Sequence, residues 1–175
     1  MKKISYVILI LFILLLLGSC RKKTIKGPDE ILIEGKIISY SDTLEQVEDK
    51  LGEGKADDMF VKKQGYCWYE YTDDLLLLFN EEDKMRAIDI EDEDIITYKN
   101  ICVGDDIDKV ADTFKYEIVS NRFYNVYFEG KEELDGLDHE KTLNKDWITI
   151  TYYTNEDNEI VRISIMDKKY AMTMR

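Results

Sequence analysis

Ile38–Gly52 reads ISYSDTLEQVEDKLG, and sixty-three residues further on Ile101–Lys115 reads ICVGDDIDKVADTFK. Leu44, Val47 and Leu51 fall in register with Ile107, Val110 and Phe114. That i, i+3, i+7 stripe is what an amphipathic helix buries. An acid opens each segment with a carboxylate three residues on, Asp42 with Glu45 and Asp105 with Asp108, a pattern that predicts two N-caps. Gly52 stops the first helix.

Strands follow both helices. After the first, Tyr66–Tyr71, Leu75–Phe79 and Met85–Ile90 are aromatic or β-branched runs joined by short turn-rich links. After the second come Arg122–Phe128, Trp147–Tyr153 and Ile160–Ile165. The turn Asn155–Glu159 echoes Asn80–Lys84 at an offset of 75, because the second copy carries the longer loop Glu129–Asp146. These runs predict an α+β fold: two tandem repeats of a helix and an antiparallel meander of three to four strands, helices on one face of the sheet. Ile31–Ile33 and Ile37–Ile38, about Gly35, read as a short strand or extended lead-in. The polar stretch Glu53–Gln64 reads as a loop.

Alternation sorts the faces. Leu75, Leu77, Phe79, Ile88 and Ile90 are expected to face the helices, as are Ile148, Ile150, Tyr152, Val161, Ile163 and Ile165. Trp147, Thr149, Thr151, Tyr153, Leu76 and Leu78 are expected on the reverse. The first strand has aromatics on both faces, so Trp68 and Tyr69 compete for the reverse. A sheet covered by helices on one side only would expose an apolar face of the kind that binds other proteins.

The chain opens differently. Lys2 and Lys3 precede Ile4–Leu17, an apolar run of 14 residues. A bilayer-spanning helix needs about 20, so the run suits a signal peptide. It ends in Leu17-Gly18-Ser19-Cys20, which resembles the lipobox of bacterial lipoproteins. The resemblance implies cleavage before Cys20 and acylation of that cysteine, hence a partner in membrane lipid and a place in the bacterial cell envelope. By the same resemblance, Arg21 after the cysteine, where an aspartate retains many such proteins in the inner membrane, favours the outer membrane or cell surface over the inner membrane and leaves the membrane itself open. The chain therefore divides into a signal peptide (1–19), a lipidated tether (20–36), and modules at 37–94 and 95–175.

Loss of Lys2 and Lys3 with the signal takes the formal net charge from −13 to −15. Setting aside Arg21, Lys22, Lys23 and Lys26 of the tether leaves about −19 from Pro28 onward. Such a body repels nucleic acid and is expected to meet, if any protein, one with a basic surface. Basic residues beside the anchor favour an anionic leaflet.

The helix pattern small–Asp–x–hydrophobic–x–x–Val–x–x–x–hydrophobic, followed by a meander with an Asn/Asp-rich turn, occurs twice. It resembles the β-lactamase-inhibitor-like fold, one module of which small outer-membrane assembly lipoproteins carry. The resemblance covers most of Ile37–Ile165. It implies a non-enzymatic protein whose concave sheet face binds another protein, here through Trp147, Tyr153, Leu76 and Leu78, with Trp68 or Tyr69. Those inhibitors are disulfide-stapled, whereas this body has only Cys67 and Cys102, so lactamase inhibition does not carry over. The alternative is a structural or envelope-assembly lipoprotein with no exposed binding face.

Chemistry has little to build on. The single histidine, His139, sits between Asp138 and Glu140 in the long loop, and no metal-ligand, nucleophile or phosphate-cradle motif is present. Glu91–Asp94 and Asp105, Asp106 and Asp108 lack the spacing of a calcium loop. No cofactor, metal or catalytic residue is assigned. Cys67 and Cys102 could pair in an oxidising compartment or remain free thiols.

Overall fold

The computed structural model describes residues 24–57, 65–114, 122–134 and 144–173. The signal segment, the Leu17-Gly18-Ser19-Cys20 motif and His139 lie outside the described residues.

The fold is α+β, built on one large antiparallel sheet. A hairpin comes first, β1 (Glu30–Ile33) and β2 (Lys36–Ser39). Its turn is Glu34-Gly35, both with positive φ (48° and 74°), the geometry a two-residue hairpin demands. Helix α1 (Leu44–Leu51) follows, then β3 (Lys55–Asp57), β4 (Tyr66–Thr72), β5 (Leu75–Asn80) and β6 (Met85–Ile90). Helix α2 (Asp108–Phe114) leads to β7 (Phe123–Glu129), β8 (Glu132–Leu134), β9 (Ile148–Thr154), β10 (Ile160–Asp167) and a last helix, α3 (Lys168–Thr173). Strands β3 to β10 form one eight-stranded sheet in the order β3-β4-β5-β6-β10-β9-β7-β8. The expected two meanders are not separate units: one continuous sheet runs through the junction where β6 pairs with β10, and its second half departs from chain order because β9 pairs with β7 and not with β8.

The helices begin later than the acids suggest. Thr43 caps α1: its hydroxyl accepts the Gln46 N–H, and the Gln46 side chain accepts the Thr43 N–H. Asp42 instead accepts the Ser39 N–H and pairs with Lys50. Asp105 does the same one unit on, accepting the Cys102 N–H and pairing with Lys109. Both acids close the turn before the helix, where a carboxylate neutralises an N–H that no ladder reaches.

Both stripes land on the same side of the sheet. Val47, Ile107, Val110 and Phe114 are buried against Leu75, Leu77, Phe79, Ile88, Ile90, Ile150, Tyr152, Ile163 and Ile165, with Leu44 and Leu51 half-buried beside them. Each fully buried aliphatic side chain contributes about 1.5–3 kcal/mol. The β1–β2 hairpin adds Ile31, Ile33 and Ile38 to this core. Glu30–Ile33 thus folds with the body, although it falls in the stretch assigned to the tether.

Three segments depart from expectation. The Lys55–Asp57 part of the polar loop pairs with β4 as an edge strand. Edge strands are kept short and charged, as Lys55-Ala56-Asp57 is, and so carry no apolar alternation to read. Part of the long second loop forms the opposite edge, β8. Val161, expected to face the helices, is 41% exposed. A β-bulge between Ile160 and Arg162 leaves it unpaired, so Ile160 takes the core position instead.

No helix among the described residues is long and apolar enough to cross a membrane.

Candidate functional site: the reverse face of the sheet

Strand β4 orients itself through its neighbours. Tyr69 and Tyr71 pack into the helix-side core, Tyr69 edge-on to Phe79 at 5.7 Å. Tyr66 and Trp68 lie on the other side. Tyr69 is therefore withdrawn from the expected binding face. The period of two permits only one of each adjacent pair, and Trp68 is the one on the reverse.

Cross-strand registers lay out the reverse face in rows. One row runs Trp68, Leu78, Ala87, Met166, Thr149, Tyr127. The next runs Glu70, Leu76, Asp89, Ser164, Thr151, Asn125. A third, on the second half of the sheet, is Arg162, Tyr153, Phe123.

Leu78 does not belong to an open surface: it is 0% exposed. Helix α3 returns over the first half of the face and sets Tyr170 against Leu78 and Ala87, ringed by Tyr66, Trp68 and Met166. Asp167 makes that return possible. Its carboxylate accepts the Tyr170 N–H at 2.7 Å and pairs with Arg86 at 2.9 Å, while its own N–H donates to the Tyr40 hydroxyl. The Lys168 N–H donates to the Trp147 carbonyl. Trp147 itself stands edge-on to Tyr127 at 5.1 Å. Leu76 is half-buried on the polar row.

The second half presents a different chemistry. Phe123 is 50% exposed and packs beside Tyr153, ring centroids 6.4 Å apart. The Arg162 guanidinium lies 3.9 Å over the Tyr153 ring, a cation–π distance. Its Nε is 3.8 Å from Asp89 Oδ1, close enough for attraction and too long for a hydrogen bond. Burial holds the Asp89 carboxyl above its ordinary value; Arg162 pulls it back. Thr151 donates to the Asn125 side-chain oxygen at 2.7 Å.

Searches of protein-family models, of curated proteins and of solved structures return no match to this chain.

Phe123, Tyr127 and Arg162 were missed from sequence. Alternation along FYNVYFE puts Phe123 and Tyr127 opposite Val126 and Phe128, a signal that was there to find. Arg162 follows from alternation as well, opposite the core-facing Ile163 and Ile165. Cys67 and Cys102 are free thiols, both half-buried. No three His, Cys, Asp or Glu side chains converge on a metal-sized site among the described residues.

Proposed function

We propose that this chain is a lipid-anchored protein of a bacterial envelope that binds another protein through the second half of its reverse sheet face. The observation that carries the binding role is the Phe123–Tyr153–Arg162 set. Aromatics and arginine dominate the energetic centres of protein interfaces, and here they stand together, two rings and a guanidinium, beside the exposed Val161. The anchor rests on the lipobox-like Leu17-Gly18-Ser19-Cys20 and the basic tether behind it. The strongly acidic body favours a partner with a basic surface.

We also read the body as a duplicated unit, as in the β-lactamase-inhibitor-like fold that it resembles. Paired hydrogen bonds support this. Leu44 N–H donates to the Asp83 carbonyl, and Ile107 N–H to that of Asn158. Asn80 Oδ1 accepts from Glu82 and Lys84, as Asn155 Oδ1 accepts from Asp157 and Glu159. Asp83 and Asn158 share a positive φ. The bulges match too: Arg86 is the extra residue in β6 and Val161 in β10.

A photo-crosslinking amino acid placed at Phe123 in living cells, with Tyr153→Ala in the same background, tests the binding face. One discrete adduct, lost with Tyr153→Ala, is expected. No adduct, or one indifferent to Tyr153, refutes it. For the anchor, Cys20→Ser is expected to shift the chain out of the membrane fraction; unchanged partitioning refutes that part.

A further inference from the structure

The two ends of the sheet differ in charge, and the chain enters the body at one of them. Antiparallel pairing puts the start of β7, the β4–β5 turn and the β9–β10 turn at one end. The β5–β6 turn, the β7–β8 turn and the start of α3 share the other. The first end is acidic. It gathers Asp73-Asp74, Glu91–Asp94, Asp105-Asp106 and the Asn155–Glu159 turn: the Glu91 N–H donates to the Asp74 carbonyl, the Gly104 N–H to that of Ile160, and Asp106 bridges Glu159. The second end carries basic side chains. Lys145 pairs with Glu129, Arg86 pairs with Asp167, and Lys168 Nζ donates to the Lys145 carbonyl at 2.8 Å. Lys131 and Lys169 are exposed there, and neither pairs with a carboxylate among the described residues. Lys169 and Met172, three apart on α3, share its outer side away from the buried Tyr170, and Met172 is 51% exposed.

The entry point is fixed at that second end. Gly27 and Pro28 are buried, and a Cβ at Gly27 would lie 3.7 Å from Lys131 Cε. The Tyr40 N–H donates to the Asp29 carbonyl, and the Tyr40 hydroxyl accepts from the Asp167 N–H at the end of β10. Gly27 follows Cys20 by seven residues, a reach of at most about 25 Å, with Arg21, Lys22, Lys23 and Lys26 between them. The seven residues of β7 or β9 span about 23 Å, nearly three Debye lengths at physiological salt. A charged leaflet therefore acts on one end of the body at a time.

We infer that the lysine-bearing end, Lys131 in the β7–β8 turn with Lys169 and Met172 on α3, rests on the headgroups of an anionic leaflet, and that the Phe123–Tyr153–Arg162 set faces away from it. The orientation rests on the anchor at Cys20. So short a leash keeps the body at the bilayer whichever side it turns, and charge selects the side: the basic tether and the lysines are drawn to the leaflet, and the acidic end is repelled. Met172 among lysines has the composition of a helix that lies in an interface. A partner then reaches the binding set from the aqueous side.

The test uses the acylated full chain in nanodiscs of equal parts phosphatidylglycerol and phosphatidylcholine, with a gadolinium chelate on some headgroups, read as amide broadening in nitrogen–proton spectra. The Lys131 and Lys169 amides are expected to broaden at least about threefold more than those of Phe123 and Asp157, because the label's effect falls steeply over the ~23 Å between the ends. In phosphatidylcholine alone, and in the double variant Lys131→Glu, Lys169→Glu in the mixed lipid, the two ends are expected to approach equality. Both lysines are exposed, so the double variant is expected to keep the sheet's amide dispersion. Equal broadening in the mixed lipid, stronger broadening at Phe123, or a bias that survives both neutral lipid and charge reversal overturns the inference, the last by leaving tether length alone as its cause. A chain that leaves the discs refutes the anchor, and the orientation with it; a chain that stays without bias refutes the orientation alone.

Discussion

The two halves of the sheet present opposite answers at equivalent places. In the first, β4, β5 and β6 bring Trp68, Leu78 and Ala87 into one row. In the second, β7, β9 and β10 bring Phe123, Tyr153 and Arg162 into a row of the same construction. Leu78 and Tyr153 are 75 residues apart, as are Ala87 and Arg162, the spacing that separates the Asn80 and Asn155 turns. Yet the first row lies beneath α3 and the second stays accessible. Chain connectivity makes the difference. After β6 the chain crosses to the helix side, where Ile95 and Ile101 are buried in the core. After β10 the next residues, Lys168–Thr173, fold back over the reverse face.

If the halves share a construction, their cores should respond alike. Ile88→Ala and Ile163→Ala, at equivalent positions beneath the helices, are each expected to cost about 2–5 kcal/mol in urea unfolding. A difference between them much above 2 kcal/mol would break the equivalence. The reverse face should respond unequally. Leu78→Ala, under α3, is expected to cost about 3 kcal/mol, whereas Tyr153→Ala loses a cation–π contact and partial burial, about 1 kcal/mol. Equal costs would mean that the second row is as covered as the first. At the helix starts, Thr43→Ala removes a capping box and is expected to cost about 1 kcal/mol. Asp106→Ala, which deletes the acceptor of the Asp108 N–H, is expected to cost no more than that.

The smallest effect concerns the polar row, where the first half has Asp89 and the second Ser164. Burial raises the Asp89 carboxyl above its ordinary value, so the folded chain holds that proton more tightly than the unfolded one. Stability from this group is therefore gained as pH falls through its folded-state pKa, and the buried charge costs stability above it. Asp89→Asn is expected to raise the urea midpoint at neutral pH and to remove the part of the acid dependence that Asp89 supplies. A lowered midpoint would show that the pairing with Arg162 outweighs the desolvation.

Much of this arrangement was legible before the structure. The stripes Leu44–Val47–Leu51 and Ile107–Val110–Phe114 are helices because their spacing admits one buried face. The six longer strands appear within a residue or two of where aromatic and β-branched runs put them. The site was harder to read. Trp68 and Tyr153 lie on the reverse face, but Trp68 and Leu78 pack with Tyr170 beneath α3, and Tyr69 points the other way. Alternation assigns a face; it says nothing of what returns to cover it. Nor does it survive a bulge, which is why Ile160 takes the core position expected of Val161.

Sequence alone determined α1, α2, the six longer strands and the face on which those two helices pack, because those follow from local period and hydrophobicity over a handful of neighbouring residues. Tertiary structure alone decided that the two sets of strands join edge to edge through β6 and β10, and that one half of the reverse face is closed by Tyr170. Those outcomes depend on contacts between residues about 75 to 100 positions apart, as between Ile90 and Ile163 or Tyr66 and Tyr170. Their loop-closure cost is met only when the whole core forms, so no short window of sequence can display them.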